Sequence, residues 1–227
     1  MSELSRSELP AGPDAVLLDF AGAPDAALAV THTDHRLRAA WAAGELPTLT
    51  DIVPSAETVL VQFESGSGVD RLGLRRVLRS AGTGSAGTAD AGADEVRIPV
   101  DYDGHDLAAV AGALDVGVDT VVRMHSQTRW RVQFMGFAPG FGYLVPADDP
   151  NHPLTRIGRR DEPRTRVPAG SVAIAAGYSA VYPRQSPGGW NLLGHTDIIL
   201  WDEHAPNPST LSAGMTVIFD DVTGRQK

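Results

Sequence analysis

Downstream of His125 the chain never again offers the uninterrupted periodic stretch that a helix needs. Short apolar, β-branched or aromatic runs at 130–134, 172–176, 180–182, 197–201 and 216–219 are separated by Gly, Pro, Ser and Asn. Many short strands bounded by turn residues bury their inner faces against one another, so this half is expected to be a β-barrel or a sandwich. With 227 residues the chain can enclose such a core without disulfide or metal staples.

Upstream, the pattern is mixed. Residues 15–20 form an apolar run suited to a buried strand, and 25–43 are alanine-rich with leucine and tryptophan spaced for one helical face, up to Pro47. Residues 59–63 alternate as a strand, and 70–78 set arginines between leucines as an exposed amphipathic helix does. The order is β-α-β-α. The segment 80–92 (SAGTGSAGTADAG) cannot bury a core and is expected to be a linker. This gives an N-terminal α/β domain at 1–93 and a second domain at 94–227. The second opens with a strand at 95–102 and two short helices at 106–113 and 119–125, with Asp106 and Asp119 in N-cap position. His125 falls at a helix C-terminus, where it either caps or takes part in chemistry. The fold class expected is α+β, a small α/β domain followed by a β-barrel.

The 19 basic and 28 acidic residues leave a net charge of −9, which argues against a nucleic-acid partner. Residues 106–126 have a helix-turn-helix look, but Asp106, Asp115 and Asp119 face Arg123 alone, the wrong sign for phosphate contacts. The absence of cysteine removes disulfides, thiolate metal sites and a cysteine nucleophile. His32 and His35 lie three apart with no third ligand evident, so no metal site is expected. The N-terminus has no basic flank and apolar stretch of a secretory signal, and the charge-free part of 167–183 is broken by Pro and Gly. A soluble cytoplasmic protein, with no membrane contact, is expected.

Glycine and proline gather in three elements: 136–144 (GFAPGFGYL), 163–175 (PRTRVPAGSVAIA) and 186–196 (SPGGWNLLGHT). Each is read either as a tight barrel corner or as a loop that exposes backbone N–H groups and ring faces to a small polar ligand. Together they resemble the family of the B subunit of 5-oxoprolinase, allophanate hydrolase subunit 1 and the sporulation kinase inhibitor of bacilli, in which GFxPGFxYL, PRxxVPAGSV and YPxxSPGGW follow in this order. His195, where that family commonly has arginine, and Gly142, where proline or alanine is more usual, depart from the pattern.

The resemblance implies that the C-terminal barrel is cyclophilin-like and that the chain is one subunit of a complex with a related sister subunit and a third component. The implied reaction is ATP-dependent hydrolysis of 5-oxoproline to glutamate, with Mg accompanying the nucleotide. The alternatives it carries are an allophanate- or urea-processing, carboxyltransferase-like subunit and a protein-binding regulator of a histidine kinase. The candidate site residues are Phe137, Pro139, Gly140, Tyr143, Ser186, Gly188, Gly189, Trp190, His195 and Thr196 in the glycine-rich elements. Arg164 and Arg166 are anion-binding candidates, since guanidinium grips carboxylate or phosphate with two parallel bonds; the competing reading is a solvated loop. Arg156, Arg159 and Arg160 are read as surface charges. Neither a Gly-x-Ser-x-Gly elbow nor a phosphate-binding Gly-x4-Gly-Lys loop is present, and Lys227 is the one lysine. The nucleotide is therefore expected on a partner or shared with it, and no side chain is assigned as acid or base.

Overall fold

The computed structural model describes residues 6–79 and 95–224, and the chain divides into two compact units, Met1–Thr88 and Ala89–Lys227. The linker expected at 80–92 lies outside the described residues.

In the first unit, β1 (Ser7–Pro10), β2 (Ala15–Asp19), β3 (Leu49–Pro54) and β4 (Thr58–Phe63) form one antiparallel sheet in the order β1-β2-β4-β3. The helices α1 (Ala26–Ala42) and α2 (Arg71–Arg79) pack together, and α1 lies on β3 and β4. The central strands are the ones that apolar patterning locates: β4 alternates, with Val59, Val61 and Phe63 buried. The edge strands escape it. β1 is mostly exposed and β3 buries only Leu49 and Ile52, so neither carries an alternating stripe. α1 begins where the Asp25 carboxylate accepts the Leu28 N–H at 2.9 Å. It ends before Pro47, at Gly44, whose φ of 74° lets the Glu45 N–H turn back to the Ala40 carbonyl.

In the second unit seven strands form one sheet: β5 (Glu95–Val100), β6 (Trp130–Met135), β7 (Gly142–Pro146), β9 (Ser171–Ala175), β10 (Tyr178–Val181), β12 (Asn191–His195) and β13 (Thr216–Asp221). Their order is β12-β9-β10-β7-β6-β13-β5, and β8 (Arg164–Val167) pairs with β11 (Ser186–Gly188) as a separate ribbon. The two ends of the seven-strand order meet, because Asp101 and His195 exchange both backbone hydrogen bonds at 2.9 Å. That bridge closes the sheet into a barrel. It requires a residue without Cβ, since one built on Gly194 would overlap the Asp101 carbonyl. The helices α3 (Leu107–Leu114) and α4 (Val118–Gln127) lie beside β12 and β13 respectively. Trp130, Phe141 and Phe219 are among the largest side chains enclosed, and burial of such a ring stabilises by about 1.5–3 kcal/mol.

The α+β class and the C-terminal barrel are as expected, and several local expectations are corrected. Residues 197–201 form no strand: the place beside β9 is taken by β12, which buries Leu192 and Leu193, while Ile199 is exposed and Trp201 makes an isolated bridge to Ser209. Asp106 precedes α3 without capping it, because its carboxylate is drawn away to two arginines and the Leu192 N–H. α4 is opened by Gly117, with Asp119 inside its first turn. His125 does not cap that helix, which runs on to Gln127 while the imidazole is wholly buried.

Candidate functional site

The GFAPGFGYL element supplies the loop between β6 and β7. Turn bonds from the Gly136 N–H to the Phe141 carbonyl and from the Phe141 N–H to the Ala138 carbonyl fold it tightly. Phe137 is thereby held in left-handed backbone, φ 66°, a conformation bulky residues rarely adopt, and the residue is 59% exposed. Phe141 is buried at the centre of an aromatic group. Its ring centroid lies 5.1 Å from Phe137, 5.0 Å from Tyr143, 5.4 Å from Tyr182 and 5.7 Å from Trp190, all edge-to-face. Tyr182 follows β10 and Trp190 precedes β12, so the turns flanking the β11 strand deliver their rings to this group. Gly188 on β11 lets the Tyr182 hydroxyl come close, because a Cβ there would overlap that oxygen.

Beside the ribbon lies a charge cluster. Asp106 Oδ1 accepts from Arg160 Nη1 at 2.6 Å and from Arg164 Nη2 at 2.8 Å, and Oδ2 accepts the Leu192 N–H at 2.7 Å. Burial by itself raises the Asp106 pKa. The hydrogen bonds from Arg164 and the Leu192 N–H, with the charges of Arg164 and Arg160, outweigh it and hold the carboxyl below the ordinary carboxylate range. Among the described residues, the buried side-chain atoms left without a hydrogen-bond partner are Arg6 Nε, Arg164 Nη1 and Ser186 Oγ. The last two belong to the ribbon, where Arg164 pairs with Gly188 and Ser186 with Val167.

The other candidates are placed apart or serve the backbone. Arg166 is exposed on β8, whereas Arg164 turns inward to Asp106. Pro139 is exposed at the loop tip, and Gly140 packs under the Leu200 carbonyl. The Gly189 carbonyl accepts the Arg160 N–H at 2.8 Å. His195 stands at the far end of β12 from Trp190, roughly 15 Å along the strand. Its Nδ1 meets Asp103 Oδ1 at 2.9 Å; this bond raises its pKa most, burial opposes it, and the charges of Asp103, Asp101 and Asp197 add to the rise. Thr196 is buried, its hydroxyl accepting the Ile198 N–H at 3.3 Å. Sequence reasoning took Asp106 for a helix cap and Arg160 for a surface charge, where the structure joins the two, and it passed over Tyr182. Tyr182 had a visible signal, as the first residue of the YPxxSPGGW element; Asp106 and Arg160 meet across 54 positions and had none.

The arrangement suits binding and polarisation more than proton transfer. Burial pushes the Tyr182 phenol up to about 12 and raises that of Tyr143, in each case against the charge of Arg159, so both stay protonated donors at neutral pH. Ser186 has no base bonded to it. Of the aromatic group Phe137 is exposed and Tyr143 half-buried, so these are the rings that a small planar group can reach, while Phe141, Tyr182 and Trp190 pack beneath.

Residues 7–211 match the family described as carboxyltransferase domain, subdomain C and D. The B subunit of 5-oxoprolinase from Escherichia coli O157:H7 is 42% identical over 127 residues, which are 55% of this chain and 56% of that protein. The chain thus matches about half the length of this relative. Among solved structures, TTHA0988 has a TM-score of 0.75 at 32% identity, covering 94% of this chain and 40% of its own. The urea amidolyase of Kluyveromyces lactis has a TM-score of 0.73 at 20% identity, covering 98% of this chain and 15% of its own, a likeness of fold alone. With the match running from β1 past β12, the chain belongs to the carboxyltransferase-domain family of subdomains C and D.

Proposed function

We propose that this chain is a subunit of an ATP-dependent amide-hydrolysing complex of the 5-oxoprolinase type, opening the 5-oxoproline lactam to glutamate together with a sister subunit and a third component. The observation that carries this is the 42% identity to a protein named as the B subunit of 5-oxoprolinase. The site is in keeping with it: Phe137 is exposed over the buried Phe141, Tyr182 and Trp190, and the Arg164 and Ser186 atoms without partners are hydrogen-bonding capacity for the oxygens of a compact lactam.

ATP supplies the driving force for an otherwise unfavourable hydrolysis. The sequence carries no phosphate-binding Gly-x4-Gly-Lys loop. The nucleotide is accordingly proposed to sit on a partner or to be shared with it, and the role given to this chain is to seat and polarise the amide. The test is reconstitution of the chain with its sister subunit and third component, with ADP and glutamate measured separately for 5-oxoproline, allophanate and urea. Coupled turnover of 5-oxoproline that requires every component is expected. Turnover of urea or allophanate without 5-oxoproline, or robust turnover by the chain alone, refutes the proposal.

A further inference from the structure

The candidate site carries more positive charge than a neutral amide needs. Arg160 and Arg164 share the single carboxylate of Asp106, so the three side chains sum to one net positive charge. Arg159 adds to the same sign, since its charge is felt at Tyr143 and Tyr182, while Asp161 and Glu162 are exposed and solvated. The Asp106 side chain is nearly enclosed, whereas those of Arg160 and Arg164 keep 31% and 23% exposure, so part of each arginine side chain is open to solvent. The donor on Arg164 Nη1 and the hydroxyl of Ser186, on the two strands of the ribbon, are buried and without partners. Buried polar atoms without partners are rare in folded chains and need a reason. An unneutralised guanidinium beside an unfilled donor matches a planar anionic oxygen pair better than a lone carbonyl.

We infer that Arg160, Asp106 and Arg164, with the Ser186 hydroxyl, form a carboxylate anchor that selects a carboxylate-bearing small amide over a neutral amide of the same shape. Asp106 is the positioning residue, holding two like charges side by side and fixing the plane of Arg164. Because Arg164 Nη1 and Ser186 Oγ are shielded from solvent, the ligand seats with a small displacement of the flanking side chains. The inference deepens the proposed function and rests on it only for the identity of the amide.

The test is binding to the full chain, followed by calorimetry and saturation-transfer NMR, of 5-oxoproline and of its neutral counterpart 2-pyrrolidinone. The carboxylated lactam is expected to bind at least about tenfold more tightly, the difference one charge-assisted hydrogen bond makes. Arg160→Gln, which neutralises the cluster, should remove most of that preference and leave 2-pyrrolidinone unaffected. Arg164→Lys, which keeps the charge and loses the fork, should also lower it, and carries the test if the first variant does not fold. Equal affinities, no binding of either lactam, or a preference that survives both substitutions overturns the anchor. A reconstituted complex inactive on 5-oxoproline, with the binding preference intact, overturns the proposed function alone; an active complex without the preference overturns the anchor alone.

Discussion

His125 places an ionisable ring where a proton cannot be accommodated. The Tyr102 hydroxyl lies 2.7 Å from its Nδ1, the Ser179 hydroxyl 2.8 Å from its Nε2, and Phe219 is stacked on it at 4.4 Å. Burial first, and then the charge of His152, pushes its pKa down to about 3. In the unfolded chain the same ring titrates near 6.5. Between those limits the unfolded chain binds a proton that the folded one refuses, so stability falls as pH falls, by about 1.4 kcal/mol per pH unit. Over the whole interval that approaches about 5 kcal/mol, the order of a domain's entire stability. His152, also lowered by burial, adds in the same direction. His195 acts oppositely: its folded pKa is raised, so its contribution is full below about 6.5 and is lost as pH rises through the folded value. Urea unfolding followed by tryptophan fluorescence from about pH 6.5 to 4.5, above most carboxylate titration, isolates the histidine effect. The wild-type chain should lose about 2 kcal/mol across that range from His125 alone. His125→Gln, which keeps hydrogen-bonding atoms and cannot take the proton, should start less stable and lose correspondingly less. Parallel profiles for the two proteins would refute the reasoning and mean that His125 is protonated, or reached by water, in the folded state.

Asp106→Ala leaves two arginines without their carboxylate and the Leu192 N–H without its acceptor, and should lower unfolding stability by about 3–5 kcal/mol in urea melts. Arg164→Ala should keep the fold by circular dichroism and reduce turnover of the reconstituted complex at least about tenfold, with Arg166→Ala, exposed on the same strand, the milder change. Gly188→Ala drives a methyl group against the Tyr182 hydroxyl and should cost about 1–3 kcal/mol, read as a lowered melting temperature.

The parts of this fold that were legible in the sequence are those whose physics is local. The alternation of β4, the Asp25 cap of α1 and the apolar runs of β2, β6, β9 and β13 announce themselves within a few residues. The strands that stayed hidden are held by their partners. β8 and β11 contain Arg, Thr, Pro and Gly and exist because they pair with each other. Asp106 shows the same limit at the candidate site, where an aspartate directly before a helix satisfies the capping rule by position and is captured instead by arginines 54 and 58 residues away. The glycine-rich elements were visible as motifs, but whether their aromatics gather or disperse was decided by the barrel that brings Phe141 under Tyr182 and Trp190.

The β8–β11 ribbon stands outside the ring of seven strands, and in sequence it brackets the β9–β10 hairpin, which lies inside that ring. A substitution at an exposed ribbon position such as Thr165 or Arg166 therefore leaves the closed sheet intact, whereas Val167, in the core, and Gly188, under the Tyr182 hydroxyl, tie the ribbon to the barrel. The same separation sets an order of local opening. Ribbon amides should exchange with deuterium well before those of β9 and β10, since the ribbon can part from its own partner strand while the barrel stays shut.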